Sequence, residues 1–390
     1  MVQDIWVFIM AVVFVAVNAF SMLAWAAAQG YKMKPTAFAF LVGAIGNLLT
    51  GSVTPISGQS SILTVSHFMK NVNERIAALL LAVVVMIPLG LFGVVTGIAA
   101  FAGNAVVWGM MAGVGLMVAG ISFDMLKQSR RTGAISLITA LATHVIFLGN
   151  PNALVYVVAI SVTIATVDFA FLQKDPDTGK RGRRIDLLKI SKADGYTGDM
   201  AENDNPKFWT KAYWADFKLM KPKFSLYAIY FALAFISLNI GTNIAFGNIT
   251  ASFAGTTQNM DHLTVINSLA DIPSVIFGGA PVGAIISATA ASPWPVQAGV
   301  AMMLLCALLL LLGLMVKAMR YVPVQAIAGF LFIIGFFSTF VPNLRNSFGT
   351  GNETQAAVAM ALTALTKNPF IGLVGGVLVR YIGMYFFMNV

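Results

Sequence analysis

Long apolar runs dominate the chain, in place of strict alternation or a narrow amphipathic stripe. A helix needs about 20 apolar residues to cross a bilayer. Stretches at 5–28, 75–101, 105–125, 153–172, 224–246, 297–315, 324–341 and 369–388 meet or approach that length. Shorter runs lie at 36–49, 133–148 and 354–365. The first run has no basic residue ahead of it, only Asp4, and is long enough to span. It predicts a mature transmembrane helix rather than a cleaved leader.

Two further apolar regions are interrupted. One reads Gly51-Ser-Val-Thr-Pro55-Ile-Ser-Gly-Gln59-Ser60-Ser-Ile-Leu, the other Phe277-Gly-Gly-Ala-Pro281-Val-Gly-Ala-Ile-Ile-Ser287-Ala-Thr. Each has a Gly-rich approach, a proline, an aliphatic residue and then small residues. The prolines are 226 positions apart. Phe14-Val-Ala-Val-Asn18 is echoed by Phe235-Ile-Ser-Leu-Asn239, with the asparagines 221 apart. Two echoes at nearly one offset predict a duplicated unit of half the chain. Paired interruptions at corresponding places in two halves point to a transporter's binding site. Backbone that leaves the helix inside a bilayer must find partners in protein or cavity water. A helix that resumes beyond the break offers free N–H groups to a ligand.

Composition agrees. The 390 residues are 58% hydrophobic and 10% charged, against about 25% charged in soluble domains. The single cysteine, Cys306, excludes an internal disulfide and a multi-cysteine metal site. Half of the 24 Lys and Arg lie between Lys174 and Lys223, together with 8 of the 15 acidic residues. The chain therefore divides into a first repeat at 1–173, a polar basic insertion at 174–222 and a second repeat at 223–390. Within the insertion, Asn205-Pro206 starts a helix carrying Trp209, Tyr213, Phe217 and several lysines. That pattern predicts a helix lying in the membrane interface against lipid. The basic excess is expected beside an anionic leaflet and does not point to nucleic acid. In the first half, short loops on the insertion's side hold seven Lys and Arg and those on the other side none. The positive-inside rule then places the insertion in the cytoplasm of a multi-pass cell-membrane protein.

No HExxH, GxSxG or GxxxxGK[ST] pattern is present, so the expectation is a transporter with no cofactor and no metal rather than an enzyme. Among ionisable groups, Asp124 and Asp168 sit near helix ends, Arg380 can snorkel, and His144 reads as a packing histidine.

At these residues the chain resembles the nucleobase–cation symporter superfamily, nearest its adenine, guanine and hypoxanthine permease branch. The likeness is carried by Val17-Asn18-Ala-Phe, Gly43 to Thr64, Met111-Ala-Gly-Val-Gly-Leu-Met, Leu269-Ala-Asp271 to Ser287, and Val322-Pro-Val-Gln-Ala-Ile-Ala-Gly329. It implies an all-α polytopic fold of about 14 segments in two inverted repeats of seven, with core and gate domains. It also implies short strands followed by half-helices at the third and tenth segments, an elevator-type alternating-access cycle, coupling to proton or sodium, termini inside and a homodimer. Family members place carboxylates in the eighth and tenth segments. Here those positions read Asn239 and Ser287, which predicts weak pH dependence unless Asp271 carries the proton. Asp271 reads equally as a helix cap.

The candidate substrate-binding set is Asn18, Gln59, Ser60, Asn239, Thr242, Asn243 and Ser287, with Asp271 as the coupling candidate. Amides offer both donor and acceptor to a heterocycle's edge, and they also serve interhelical bonding. The leading reading is a secondary transporter of a small planar solute, a purine nucleobase or related compound. The alternative is an anion transporter or exchanger of the sulfate and bicarbonate type, which missing carboxylates would suit.

Overall fold

Uninterrupted apolar sequence forms helix here because nothing else satisfies the backbone away from water. The computed structural model describes residues 2–59, 63, 69, 71–174, 179, 181–185, 211–214 and 217–387. Among these residues, seven helices are long and apolar enough to cross a membrane: Val2–Ala28, Met33–Thr50, Val72–Leu91, Asn104–Gln128, Ala153–Leu172, Leu226–Phe253 and Val324–Ser347. Shorter helices Arg130–Ile146, Met260–Val275, Pro295–Leu311, Glu353–Thr366 and Pro369–Phe387 complete the helical segments. The two interrupted regions each hold a two-residue strand, β1 (Ile56–Ser57) and β2 (Gly283–Ala284), paired antiparallel. In chain order these make segments 1–7 before the insertion and 8–14 after it, with β1 in segment 3 and β2 in segment 10. The protein is an all-α polytopic membrane protein with an inverted-repeat fold.

Packing repeats between the halves. Segment 2 packs on 11 as 9 packs on 4, 1 on 11 as 8 on 4, 6 on 7 as 13 on 14, and 1 on 7 as 8 on 14. The pairs 2 with 9, 5 with 12 and β1 with β2 map onto themselves. Seven is odd, so the second half enters from the opposite face and the repeat is inverted. Segments 1–4 and 8–11 form the core domain, and segments 5–7 and 12–14 form the gate domain.

Two glycine pairs, each 220 positions apart, fix this geometry. The runs expected at 75–101 and 297–315 each end early, at Gly93 and Gly313, whose φ values of 72° and 66° are left-handed. Each run continues as a short separate helix, Val94–Ala102 or Leu314–Met319. Gly115 and Gly335 face each other where segments 5 and 12 cross. A Cβ on Gly115 would lie 2.6 Å from the Gly335 carbonyl, and one on Gly335 would lie 2.8 Å from the Gly115 carbonyl. Small residues permit such close helix contact where no hydrophobic force drives it.

The insertion's described parts are fastened to both domains. Ile185 N–H donates to the Arg320 carbonyl, and Arg183 lies over the Phe169 ring. Farther on, the Tyr213 hydroxyl donates to the Leu311 carbonyl and Met220 N–H to Ile276, and just beyond the insertion Lys223 pairs with Glu74 at 3.0 Å. Of the expected interfacial helix, the turn Lys211–Trp214 is seen; Trp209 lies outside the described residues.

Candidate functional site

The site begins where two chains of extended backbone meet in the middle of the core domain. Pro55 and Pro281 cannot donate, so the strands they open stay short and pair only with each other. Ile285 N–H donates to the Pro55 carbonyl, which extends the ladder by one bond.

The second break is held by neighbouring helices. Ala280 N–H donates to Thr36 Oγ1 and its carbonyl accepts from Ser274 Oγ. Val282 N–H donates to Asp271 Oδ1 at 2.7 Å. Gly279 is needed at this crossing, since a Cβ there would lie 2.8 Å from Thr36 N. The first break is held one step earlier, by Asn47 Nδ2 donating to the Thr54 carbonyl at 2.7 Å.

Beside β1 lies a cavity of about 450 Å³ between core and gate. Among the described residues its inner end, here the blind end, is lined by Asn18, Ser57, Gly58 and Gln59 together with Ile285 and Phe246. From there it runs to Ala28, Gln128, Ile185 and Val324. Those residues end segment 1, end segment 5, belong to the insertion and start segment 12, so the cavity leads to the basic side. Among the described residues Asp124 is the one ionisable side chain lining it, on the basic side, and it is paired with Lys127 and Lys367 at 3.4 and 3.8 Å. Another depression, about 500 Å³ among Ile5, Phe8, Trp294 and Gln297, is open and nearly all apolar, and brings no cluster of polar groups together.

The blind end holds unused hydrogen-bonding capacity. Asn18 Oδ1, Ser57 Oγ and Gln59 Oε1 are buried and have no partner among the described residues. The Gly58 N–H makes no bond among them either. The Gln59 amide is oriented by chemistry, because Nε2 donates to the Ala284 carbonyl at 3.1 Å and leaves Oε1 as an acceptor. A buried unpaired polar atom costs about 1–3 kcal/mol. Four such groups in one place mark where a ligand or ordered water completes the bonding.

The structure brings together part of the sequence-derived set. Asn18 and Gln59 line the cavity. Ser60 lies outside the described residues. Thr242 Oγ1 bonds back to the Leu238 carbonyl. Asn243 is fully buried between helices, donating to Thr264 and accepting from Asn267. Asn239 is half-buried and is not among the lining residues. Ser287 Oγ shares a hydrogen bond with Thr289 Oγ1 and accepts from Thr289 N–H, at the start of the 3-10 turn Ala288–Ala291. Asp271 is spent on Val282 and does not line the cavity. Sequence reasoning missed Ser57 and Gly58, although both stand in the quoted Pro55 motif. It also missed Gln128 and Val324, because pairing of segments 5 and 12 is not written in local sequence.

No protein-family model matches the chain, and no curated protein matches it in sequence. Solved structures do. The transmembrane domain of a cyanobacterial bicarbonate transporter, BicA, is similar over 96% of this chain and 98% of its own, with a TM-score of 0.50 and 15% identity. The structure of SLC26A9 is similar over 99% of this chain and 66% of its own, with a TM-score of 0.51 and 12% identity. At these identities the likeness carries the fold. It corrects the resemblance to purine permeases, because the two structures described here are a bicarbonate transporter's transmembrane domain and SLC26A9. The blocks behind that resemblance are glycines, prolines and small residues that build the breaks and crossings. They report architecture, and the purine and the coupling cation were carried over with it.

Proposed function

We propose that the chain is a secondary transporter of small inorganic anions of the bicarbonate and sulfate type, and not an enzyme. One observation carries this reading: the cavity ends in uncharged hydrogen-bonding groups, with no carboxylate among them, where two broken segments meet. A carboxylate there would repel an anion by several kcal/mol at low dielectric. The Ser57 hydroxyl and the Gly58 N–H supply donors. Likeness of fold to the transmembrane domain of a bicarbonate transporter supports the same reading.

Within that class the site favours bicarbonate over sulfate. Gln59 Oε1 can only accept, and the bond from Nε2 to Ala284 fixes which way the amide faces. Bicarbonate has one O–H to give it; sulfate has none. A cavity that closes at its blind end and runs to the basic side fits alternating access, with the core domain moving against the gate. The positive-inside rule makes that side cytoplasmic in the cell membrane, so the structure corresponds to the inward-open state in this proposal.

Uptake of labelled bicarbonate, sulfate and chloride into proteoliposomes tests the function. Saturable bicarbonate uptake, competed weakly by sulfate, is expected. Absence of flux for all three anions, with the protein folded and inserted, rules the reading out. Labelling of Ser191→Cys in intact cells tests the orientation, since Cys306 is buried; reaction with an impermeant maleimide would place the insertion outside.

A further inference from the structure

We propose that Gln29 and Arg75 are positioning residues for Gln59, an inference that rests on the reading of the cavity above. Neither lines the cavity, and both side chains are fully buried.

The argument starts at the end of segment 1. Its helix stops at Gly30, whose φ of 83° is left-handed. Gly30 N–H donates to the Ala27 carbonyl and Tyr31 N–H to the Ala26 carbonyl, the two-bond stop that a left-handed glycine permits. The Gln29 carbonyl accepts from Arg75 Nη1 at 2.9 Å, and the guanidinium lies over the Tyr31 ring at 4.6 Å. A cation at this place meets the negative end of the segment 1 helix.

The Gln29 side chain turns the other way. Its Nε2 donates to the Leu63 carbonyl at 3.0 Å. Leu63 N–H in turn donates to the Gln59 carbonyl at 3.0 Å. Gln59 Nε2 then donates to the Ala284 carbonyl. Four successive hydrogen bonds thus join a buried cation at the start of segment 4 to the strand pair at the cavity's blind end.

An arginine buried in a membrane domain is costly. An apolar side chain would fill the volume without that cost. What the guanidinium adds is direction: it fixes the Gln29 carbonyl, hence the Gln29 backbone, hence the amide that grips Leu63. Gln59 needs that grip. Its acceptor faces a ligand correctly only while its donor stays on Ala284, and a small shift of Gln59 relative to Leu63 breaks that register.

A double-mutant cycle separates this role from plain packing. Gln29→Met keeps the volume and removes the amide. Gln59→Met does the same at the site. In proteoliposomes each is expected to raise the KM for bicarbonate about tenfold with the maximal rate retained. The double variant should match Gln59→Met alone within about twofold, since Gln29 acts through Gln59. Multiplication of the two effects overturns the proposal. Arg75→Lys, which keeps charge and loses the fork, should move KM in the same direction and serves if Gln29→Met does not fold. A second readout needs no transport. In a Cys306→Ala background, the maleimide reaction rate of Ser57→Cys should change at least about threefold on adding Gln29→Met. An unchanged rate overturns the positioning role. A wild type that moves no anion but shows the changed rate defeats the transport reading alone.

Discussion

The two broken segments share one topology and do different work. Both open on a proline, both contribute a two-residue strand, and the strands pair across the pseudo-two-fold axis. Around Pro281 the polar backbone groups are taken up: Ala280 by Thr36 and Ser274, Val282 by Asp271. The residues this break gives to the cavity, Ile285 and Ile286, are aliphatic. Around Pro55 the order is reversed. Side chains of its own half anchor it only at Thr54, and farther on Ser57 Oγ and Gln59 Oε1 line the cavity with no partner among the described residues. One break is a scaffold and the other a receptor. Duplication supplied the geometry twice, and the side chains then assigned the roles.

The largest effect should come from unfastening the scaffold. Asp271 is 5% exposed and accepts from Val282. Asp271→Ala leaves that N–H buried and unpaired, which should lower stability by about 2–3 kcal/mol. Asp271→Asn retains an acceptor and should cost less than about 1 kcal/mol. Thermal unfolding in micelles checks the difference. The same Asn variant addresses coupling, because a carboxylate that carried the transported proton would take the pH dependence of uptake with it. If Asp271 only fastens the break, the pH profile of Asp271→Asn overlays that of the wild type.

The sequence displayed the scaffold more readily than the receptor. Glycine, proline and paired interruptions are local marks, so both breaks and the half-chain repeat could be read directly. Polar residues on the breaks were legible as a class. Their division was not, because partners come from far along the chain: Asn243 is consumed by Thr264 and Asn267, while Gln59 meets Ala284. No periodicity encodes which amide finds a partner. The purine resemblance failed for a related reason. Motifs of small residues encode close approach, and close approach is common to transporters of unlike solutes.

Serines at the two breaks sharpen the contrast at the next scale down. Ser57 Oγ is buried without a partner and Ser287 Oγ is bonded to Thr289. Ser57→Ala should raise the KM for bicarbonate about tenfold, equivalent to ~1.4 kcal/mol, and leave stability unchanged. Ser287→Ala should do the opposite, lowering stability by about 0.5–1.5 kcal/mol with KM unmoved. Equal effects of the two on KM would mean that both breaks touch the anion, and the distinction between scaffold and receptor would fall.

The smallest effect, and the sharpest test of symmetry, concerns two asparagines that the repeat makes equivalent. Asn18 and Asn239 sit at matching places on segments 1 and 8. By sequence alone each had the same claim on the ligand. In the structure Asn18 lines the cavity with its Oδ1 unpaired, and Asn239 does not line it. Asn18 is also only half-buried, so solvent can replace part of what its amide gives. Asn18→Ala should therefore raise the KM for bicarbonate about three- to fivefold, less than the loss at Ser57. Asn239→Ala should leave it within about twofold, the usual range for a side chain that touches neither ligand nor a buried partner. The two variants are best compared in one preparation, since the ratio of their KM values cancels errors in protein amount. A ratio near one removes the asymmetry from the asparagines. A ratio inverted in favour of Asn239 would place the anion on the second half of the repeat, and the blind end at Ser57 would no longer be its seat.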